Sequence, residues 1–329
     1  MLHGVQDLRI EERPIPVPAA GEVLVKVEAT GVCGSDVHYY RHGRIDRYVV
    51  DAPMVLGHES AGSVVEVGAD VDPGLVGRVV AIEPGIPDGT CAQCRAGRYN
   101  LCPAVRFHAT PPIDGSLADY VVVPAAFAHP APAGMRAERA AMAEPVSVGV
   151  AAARKAGIGV GARVLVIGAG PVGLFAAQVA RAQGAEQVVV TDVNERRMQL
   201  ARRLRFAAPA DGEEFDVVLE CSGHPDAFAA GLRAAAPAAR VVLIGMGADE
   251  YRLPVGLVQG RELTLMGQFR YANTYPAALG LIADGRVDVD SCISHRFELA
   301  DAEAALTIGQ REPSANKVVV VNVSEGLDR

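Results

Sequence analysis

The sequence predicts an α/β protein of two domains, a β-rich one followed by a doubly wound parallel sheet. Three observations carry this. The 329 residues correspond to about two domains at roughly 150 residues each. Residues 21 to about 147 break into short apolar runs between glycine and proline turns. From about residue 148, strand-length apolar runs alternate with amphipathic helical ones, the pattern of a parallel sheet covered by helices.

Composition narrows the class. Half of the residues are hydrophobic and 21% are charged, which excludes a mostly disordered chain. Lysine and arginine total 31 against 39 acids, a formal charge of −8, and no basic tract stands out. Nucleic acid and anionic membranes are therefore poor partners. The start, MLHGVQDLRIEERPIP, lacks the basic head and apolar core of a signal peptide. The best membrane candidate, VLVIGAGPVGLFAAQVA, is at the short limit for a span and is broken by three glycines and a proline. A cytoplasmic protein with no membrane segment is expected. Disulfides are disfavoured in that compartment, and three of the six cysteines crowd into residues 91–102, which points to a metal.

In order, GEVLVKVEAT alternates with Val23, Val25 and Val27 on one face, and SVVEVG, GRVVAIEP and ADYVVVP are further strands. No long helical period precedes the alanine-rich stretch near residue 137. RVLVIG is then a buried strand, and Val172, Phe175, Ala176, Val179 and Ala180 share one helical face. QVVVTD, the helix ERRMQLARRL, DVVLECSG, PDAFAAGLRAA and ARVVLIG continue the alternation. A helix at about 273–284, HRFEL, another helix and KVVVVNV close the chain.

Gly168, Gly170 and Gly173 form G-x-G-x-x-G with Pro171 and Val172 between them. The motif is weak alone, but here it follows a strand and opens a helix. The glycines allow the tight turn, the approach of a pyrophosphate and close helix–strand packing, while the helix N-terminus offers free N–H groups. Asp192, 19 residues after Gly173, can accept both ribose hydroxyls and repels a 2′-phosphate, which favours NAD over NADP.

The segment DGTCAQCRAGRYNLC carries Cys91, Cys94 and Cys102 at C-x2-C-x7-C, and Asp88 can complete a tetrahedral zinc site. Cys33, His58, Glu59 and Glu144 are dispersed, and no spacing rule joins them. Taken singly, each is more often structural than a ligand.

GVCGSDVHYY, PMVLGHESAG, the 88–102 cluster, EPVSVG and VIGAGPVG together resemble the zinc-dependent medium-chain alcohol dehydrogenase family. FHATPPIDGSLADY and GQFRYANTYP are similar to its polyol (sorbitol and xylitol) branch. The resemblance spans essentially the whole chain. It implies a GroES-like catalytic domain over 1–147, a Rossmann NAD-binding domain over 148–269, and a return to the first domain over 270–329. It also implies a homotetramer or homodimer. By the resemblance, Cys33 and His58 are catalytic zinc ligands. Glu59 and Glu144 are two acids of that site, one of them a direct ligand. Ser35 and His38 form a proton relay, and Tyr39, Phe107, Arg270 and Tyr271 lie near the substrate. Two departures stand out. Asp88 occupies the place of a cysteine, and only about ten residues separate ERRMQLARRL from DVVLECSG, so the Rossmann domain is expected to be shortened at one edge.

Hydride leaves an alcohol carbon readily only from the alkoxide, and a zinc ion lowers the hydroxyl pKa enough to supply it near neutrality. The implied function is oxidation of a polyol to the ketose with zinc and NAD. A dehydrogenase of another secondary alcohol (threonine, idonate or butanediol) and a non-catalytic NAD-binding protein on the same fold are the alternatives.

Overall fold

The computed structural model describes residues 1–322. These form two compact units, Met1–Glu144 with the chain from Ile293 onward, and Pro145–Cys292.

The first unit is built on a seven-stranded sheet. Its long strand Glu22–Val32 pairs along one flank with Glu59–Val67. The other flank is shared. Tyr120–Pro124 lies opposite residues 22–26, and Lys317–Val321 lies opposite residues 29–32. Val23, Val25 and Val27 face the core with Val64, Val80, Ile82, Val121 and Val123, as their alternation predicts. The register sets Gly31 opposite Glu59 and Val32 opposite Val318, so the end of the long strand has an acid on one side and Lys317 on the other.

A helix unforeseen in the sequence, Gly34–His42, follows at once. Its buried residues Asp36, Tyr39 and Tyr40 give a single short stripe, too brief to register as a helical period. Capping starts and stops it. The Asp36 carboxylate accepts from the Cys33 N–H at 3.0 Å. Gly43 takes a left-handed conformation (φ 67°) and donates to the Tyr39 carbonyl.

The second unit holds a five-stranded parallel sheet in the order Gln187–Thr191, Arg163–Ile167, Phe215–Glu220, Ala235–Leu243, Thr264–Gly267. Leu165, Ile167, Val189, Phe215, Val218, Phe228 and Leu232 form its core. The expected short edge is present. Among the described residues, only an isolated parallel bridge from Val189 to Ala207 lies beyond Gln187–Thr191. The abbreviated connection is pinned by Glu213, which accepts from the Ala210 N–H, from Gln187 and from Arg163.

The compact units divide the chain elsewhere than at the expected 147/148 and 269/270. The first break falls at Glu144/Pro145, within the helix Ala143–Ala156, and residues 270–292 stay with the parallel-sheet unit. Hydrogen bonds explain the second shift. Buried Gln178 brackets Asp288, accepting from its N–H at 2.7 Å and donating to its carbonyl. Arg154 donates to the Asn273 carbonyl. The segment before the helix Tyr275–Ala283 is thus tied to Ala143–Ala156, and the turn after it to the helix Pro171–Ala182.

All six cysteines are free thiols. Among the described residues, no helix is long and apolar enough to cross a membrane.

Candidate functional site

In the first unit the dispersed residues meet. The Cys33 Sγ, one His58 ring nitrogen and a Glu59 carboxylate oxygen all lie within 4.8 Å of one another. Cys33 is the N-cap of Gly34–His42, and Glu59 opens the strand that pairs with Glu22–Val32. Asp36 ties the two chain segments together. One carboxylate oxygen accepts from the Cys33 N–H and the other from the Gly57 N–H at 2.9 Å. Gly57 needs its left-handed φ of 89° to turn the chain into His58. Phe107 packs on the His58 ring, with centroids 5.6 Å apart.

The electrostatics show a deficit of positive charge. Burial lowers the His58 pKa, but Asp36, Cys33 and Glu144 outweigh it, and the net effect is a rise to about 10. Lys317 is fully buried, pairs with Glu59 and donates to the Val32 carbonyl at 2.9 Å. Its pKa is also raised. Burial opposes the charge, and Glu59, Cys33 and Glu144 together overcome that cost. A half-buried thiol with a buried imidazole and a buried carboxylate, surrounded by further acids, makes a donor set suited to a divalent metal such as zinc. Gly31 leaves room for this packing, because a Cβ there would fall on the Glu59 carboxylate.

Asp36 and Lys317 escape sequence reasoning. The three-residue spacing from Cys33 to Asp36 is a capping signal that could have revealed the first. A lysine opening an apolar strand carries no signal, since lysine is ordinarily exposed.

The other first-unit residues divide by exposure. Ser35 is half-buried and His38 is exposed one turn later. Partial burial lowers the His38 pKa, and His42 and Arg41 lower it further. The His38 and His42 rings are 4.6 Å apart. Tyr39 and Phe107 are buried, and Glu144 is buried in the first turn of its helix.

In the segment 88–102, Asp88, Cys91, Cys94 and Cys102 bring one donor atom each within 4.8 Å of the others. The Asp88 carboxylate accepts from the N–H groups of Thr90 and Cys91 at 2.7 and 3.0 Å. These bonds stabilise the charged form and lower its pKa.

In the second unit, Gly168 has φ 100° and Gly170 caps the helix Pro171–Ala182. A Cβ on Gly173 would strike the Gly168 carbonyl, whereas one on Gly170 would meet nothing. The helix N-terminus beside Gly170 thus stays free of neighbouring atoms, which a bound pyrophosphate would require. Asp192 follows the strand Gln187–Thr191 and accepts from the Ala169 and Asn194 N–H groups, each at 2.8 Å. Arg270 adopts a left-handed φ of 52°, and its guanidinium lies over Phe269. Tyr271 is buried against Tyr275.

The comparisons agree with this architecture. Residues 19–133 match the alcohol dehydrogenase GroES-like domain, and residues 171–284 match the zinc-binding dehydrogenase domain. Sorbitol dehydrogenase of Bos taurus is 41% identical, with 94% of this chain and 92% of that protein covered. Sorbitol dehydrogenase 1 of Saccharomyces cerevisiae is 42% identical, covering 93% and 92%. Among solved structures, L-idonate 5-dehydrogenase of Escherichia coli superposes with a TM-score of 0.91 at 31% identity, covering 97% of this chain and 96% of its own. An Escherichia coli alcohol dehydrogenase in complex with NADH superposes at 0.90 with 28% identity, covering 97% of each chain. The chain belongs to the zinc-dependent medium-chain alcohol dehydrogenase family. Within that family it falls in the polyol dehydrogenase branch.

Proposed function

We propose that the protein oxidises a polyol or sugar alcohol to the ketose and passes the hydride to NAD. The observation that carries this is the convergence of Cys33, His58 and Glu59 beside the buried acids Asp36 and Glu144. When bound there, zinc supplies the Lewis acidity that makes a hydroxyl acidic, and NAD supplies the hydride acceptor.

The remaining steps belong to the chain. Glu59 serves as the direct ligand, with Lys317 holding its carboxylate, and Glu144 stands beside the site as a second buried acid. Asp36 fixes the segments that carry Cys33 and His58. Ser35 accepts the substrate hydroxyl proton, and exposed His38 passes it to solvent, a task suited to an imidazole that is neutral at working pH. Tyr39, Phe107, Arg270 and Tyr271 contact the substrate, the polar ones engaging its additional hydroxyls.

Gly168, Gly170, Pro171, Val172 and Gly173 cradle the NAD pyrophosphate, and Asp192 selects NAD over NADP through the ribose hydroxyls. Asp88, Cys91, Cys94 and Cys102 hold a second, structural zinc. The molecule acts in the cytoplasm as a homotetramer or homodimer.

A panel of polyols and secondary alcohols, assayed with NAD and with NADP, tests the reading. Polyols with NAD are expected to give the highest kcat/KM, because a polar site left unpaired by a simpler alcohol is costly. Preference for ethanol or an aromatic alcohol over every polyol would overturn it. Idonate and butanediol belong in the panel, since dehydrogenases of both are among the similar structures.

A further inference from the structure

His42 has no part in the reaction described above, yet its ring lies 4.6 Å from that of His38. The two residues stand four apart on the helix Gly34–His42, so both project from one face. Both side chains are exposed. Two imidazoles at this spacing on a helix are the pairing that divalent transition metals accept, as in the H-x-x-x-H portion of helical zinc sites. We propose that His38 and His42 form a surface chelate for a divalent transition metal ion, separate from both cysteine-containing sites, and that its occupation stops the outward passage of the substrate proton.

Several features of the helix support the site. Imidazole nitrogen binds zinc at about 2.0–2.1 Å only when unprotonated. Partial burial, His42 and Arg41 all favour the neutral form of His38. His42 lies in the last helical turn, where the partial negative charge of the carbonyl ends favours a cation. Arg41 opposes the ion by its charge.

Among the described residues, neither histidine belongs to a group of three or more converging His, Cys, Asp or Glu donors. The chelate is therefore bidentate, with water completing the shell. It should bind reversibly and more weakly than a site of three or four protein ligands. The Irving–Williams order places nickel, copper and zinc ahead of manganese, and hard magnesium should not bind imidazole usefully.

Coordination uses the imidazole lone pair that would accept the proton from Ser35. An ion on His38 therefore removes the outer acceptor while leaving Cys33, His58 and Glu59 untouched. The binding claim stands on geometry alone, whereas the effect on turnover rests on the relay role proposed for His38.

The test starts from zinc-loaded enzyme. Protein is equilibrated with micromolar free Zn2+, and bound ions are counted in the wild type, in His42→Ala and in His38→Ala. Turnover is followed at the same free Zn2+ in the wild type and in His42→Ala. The wild type should hold one more ion per subunit than either variant. Its turnover should fall about tenfold and recover with a mild chelator, while His42→Ala keeps its activity throughout. Ni2+ should reproduce the effect and Mg2+ should not. Equal ion counts in all three proteins would overturn the site. An extra ion that His42→Ala loses, with turnover of the wild type unaffected, would uphold the site and overturn the relay role of His38.

Discussion

The buried Lys317 ammonium lies against the Glu59 carboxylate, and each side chain is only 2% exposed. The pair meets because the end of the Glu22–Val32 strand is flanked by Glu59 in one register and by the start of Lys317–Val321 in the other. Removing one partner of a buried ion pair leaves a desolvated charge behind, at a cost of about 3–5 kcal/mol.

Lys317→Met should therefore destabilise the first unit by about 3–5 kcal/mol in metal-free protein. The loss should be smaller when zinc is bound, because the metal also compensates Glu59. Chemical denaturation with and without zinc measures the difference, and equal losses in both states would separate Lys317 from the metal site.

Gly170→Ala and Gly173→Ala should behave oppositely. At Gly173 the added methyl strikes the Gly168 carbonyl, so the unit should be destabilised. At Gly170 nothing stands in the way, so Tm should be nearly unchanged while the methyl intrudes on the pyrophosphate site and weakens NAD binding. Thermal melts paired with NAD titrations distinguish the two. Unaltered NAD affinity in Gly170→Ala would remove the turn from the cofactor site.

Asp88 should complete a second zinc site, giving two ions per subunit in enzyme purified without chelator. Asp88→Ala should lose one ion and leave the other, since Cys33, His58 and Glu59 are a separate cluster. A single zinc in the wild type, with Cys91, Cys94 and Cys102 all open to a thiol reagent, would contradict this assignment.

His108 predicts a pH dependence of stability. Burial is the main cause of its pKa falling to about 4, and the neighbouring His58 and Arg106 add to the effect. The unfolded value is about 6.5, so as pH falls the unfolded chain takes up the proton first. The stability contribution is thus complete above about 6.5 and is lost as the pH drops toward 4. His108→Gln should flatten the fall in unfolding free energy between neutral and mildly acidic pH. An unchanged slope would show that His108 does not titrate in this way.

Local signals explain what was legible in the chain. The glycine turn, the helix after it and Asp192 lie within one strand–helix–strand stretch, so spacing and periodicity were sufficient to read them. Asp88, Cys91, Cys94 and Cys102 likewise share one short loop, and their donors converge as that spacing implies. The shortened sheet edge followed from counting residues between a helix and the next strand, and among the described residues Val189 has only a lone bridge beyond it.

Folding settled the rest through long-range pairing. Cys33, His58 and Glu59 carry no joint spacing rule, and their donors converge where strand register and helix capping bring separate segments together. Residues 270–292 look in sequence like the start of a return to the first domain, but Gln178 and Arg154 hold them to the second. Lys317 is the clearest case. Its side chain reads as an ordinary exposed cation at a strand end, and it is buried because Glu59, Cys33 and Glu144 stabilise its charge more than desolvation penalises it. A one-dimensional pattern records which residues favour water or a particular backbone shape, whereas the charge a buried residue can carry depends on neighbours that only the folded sheet supplies.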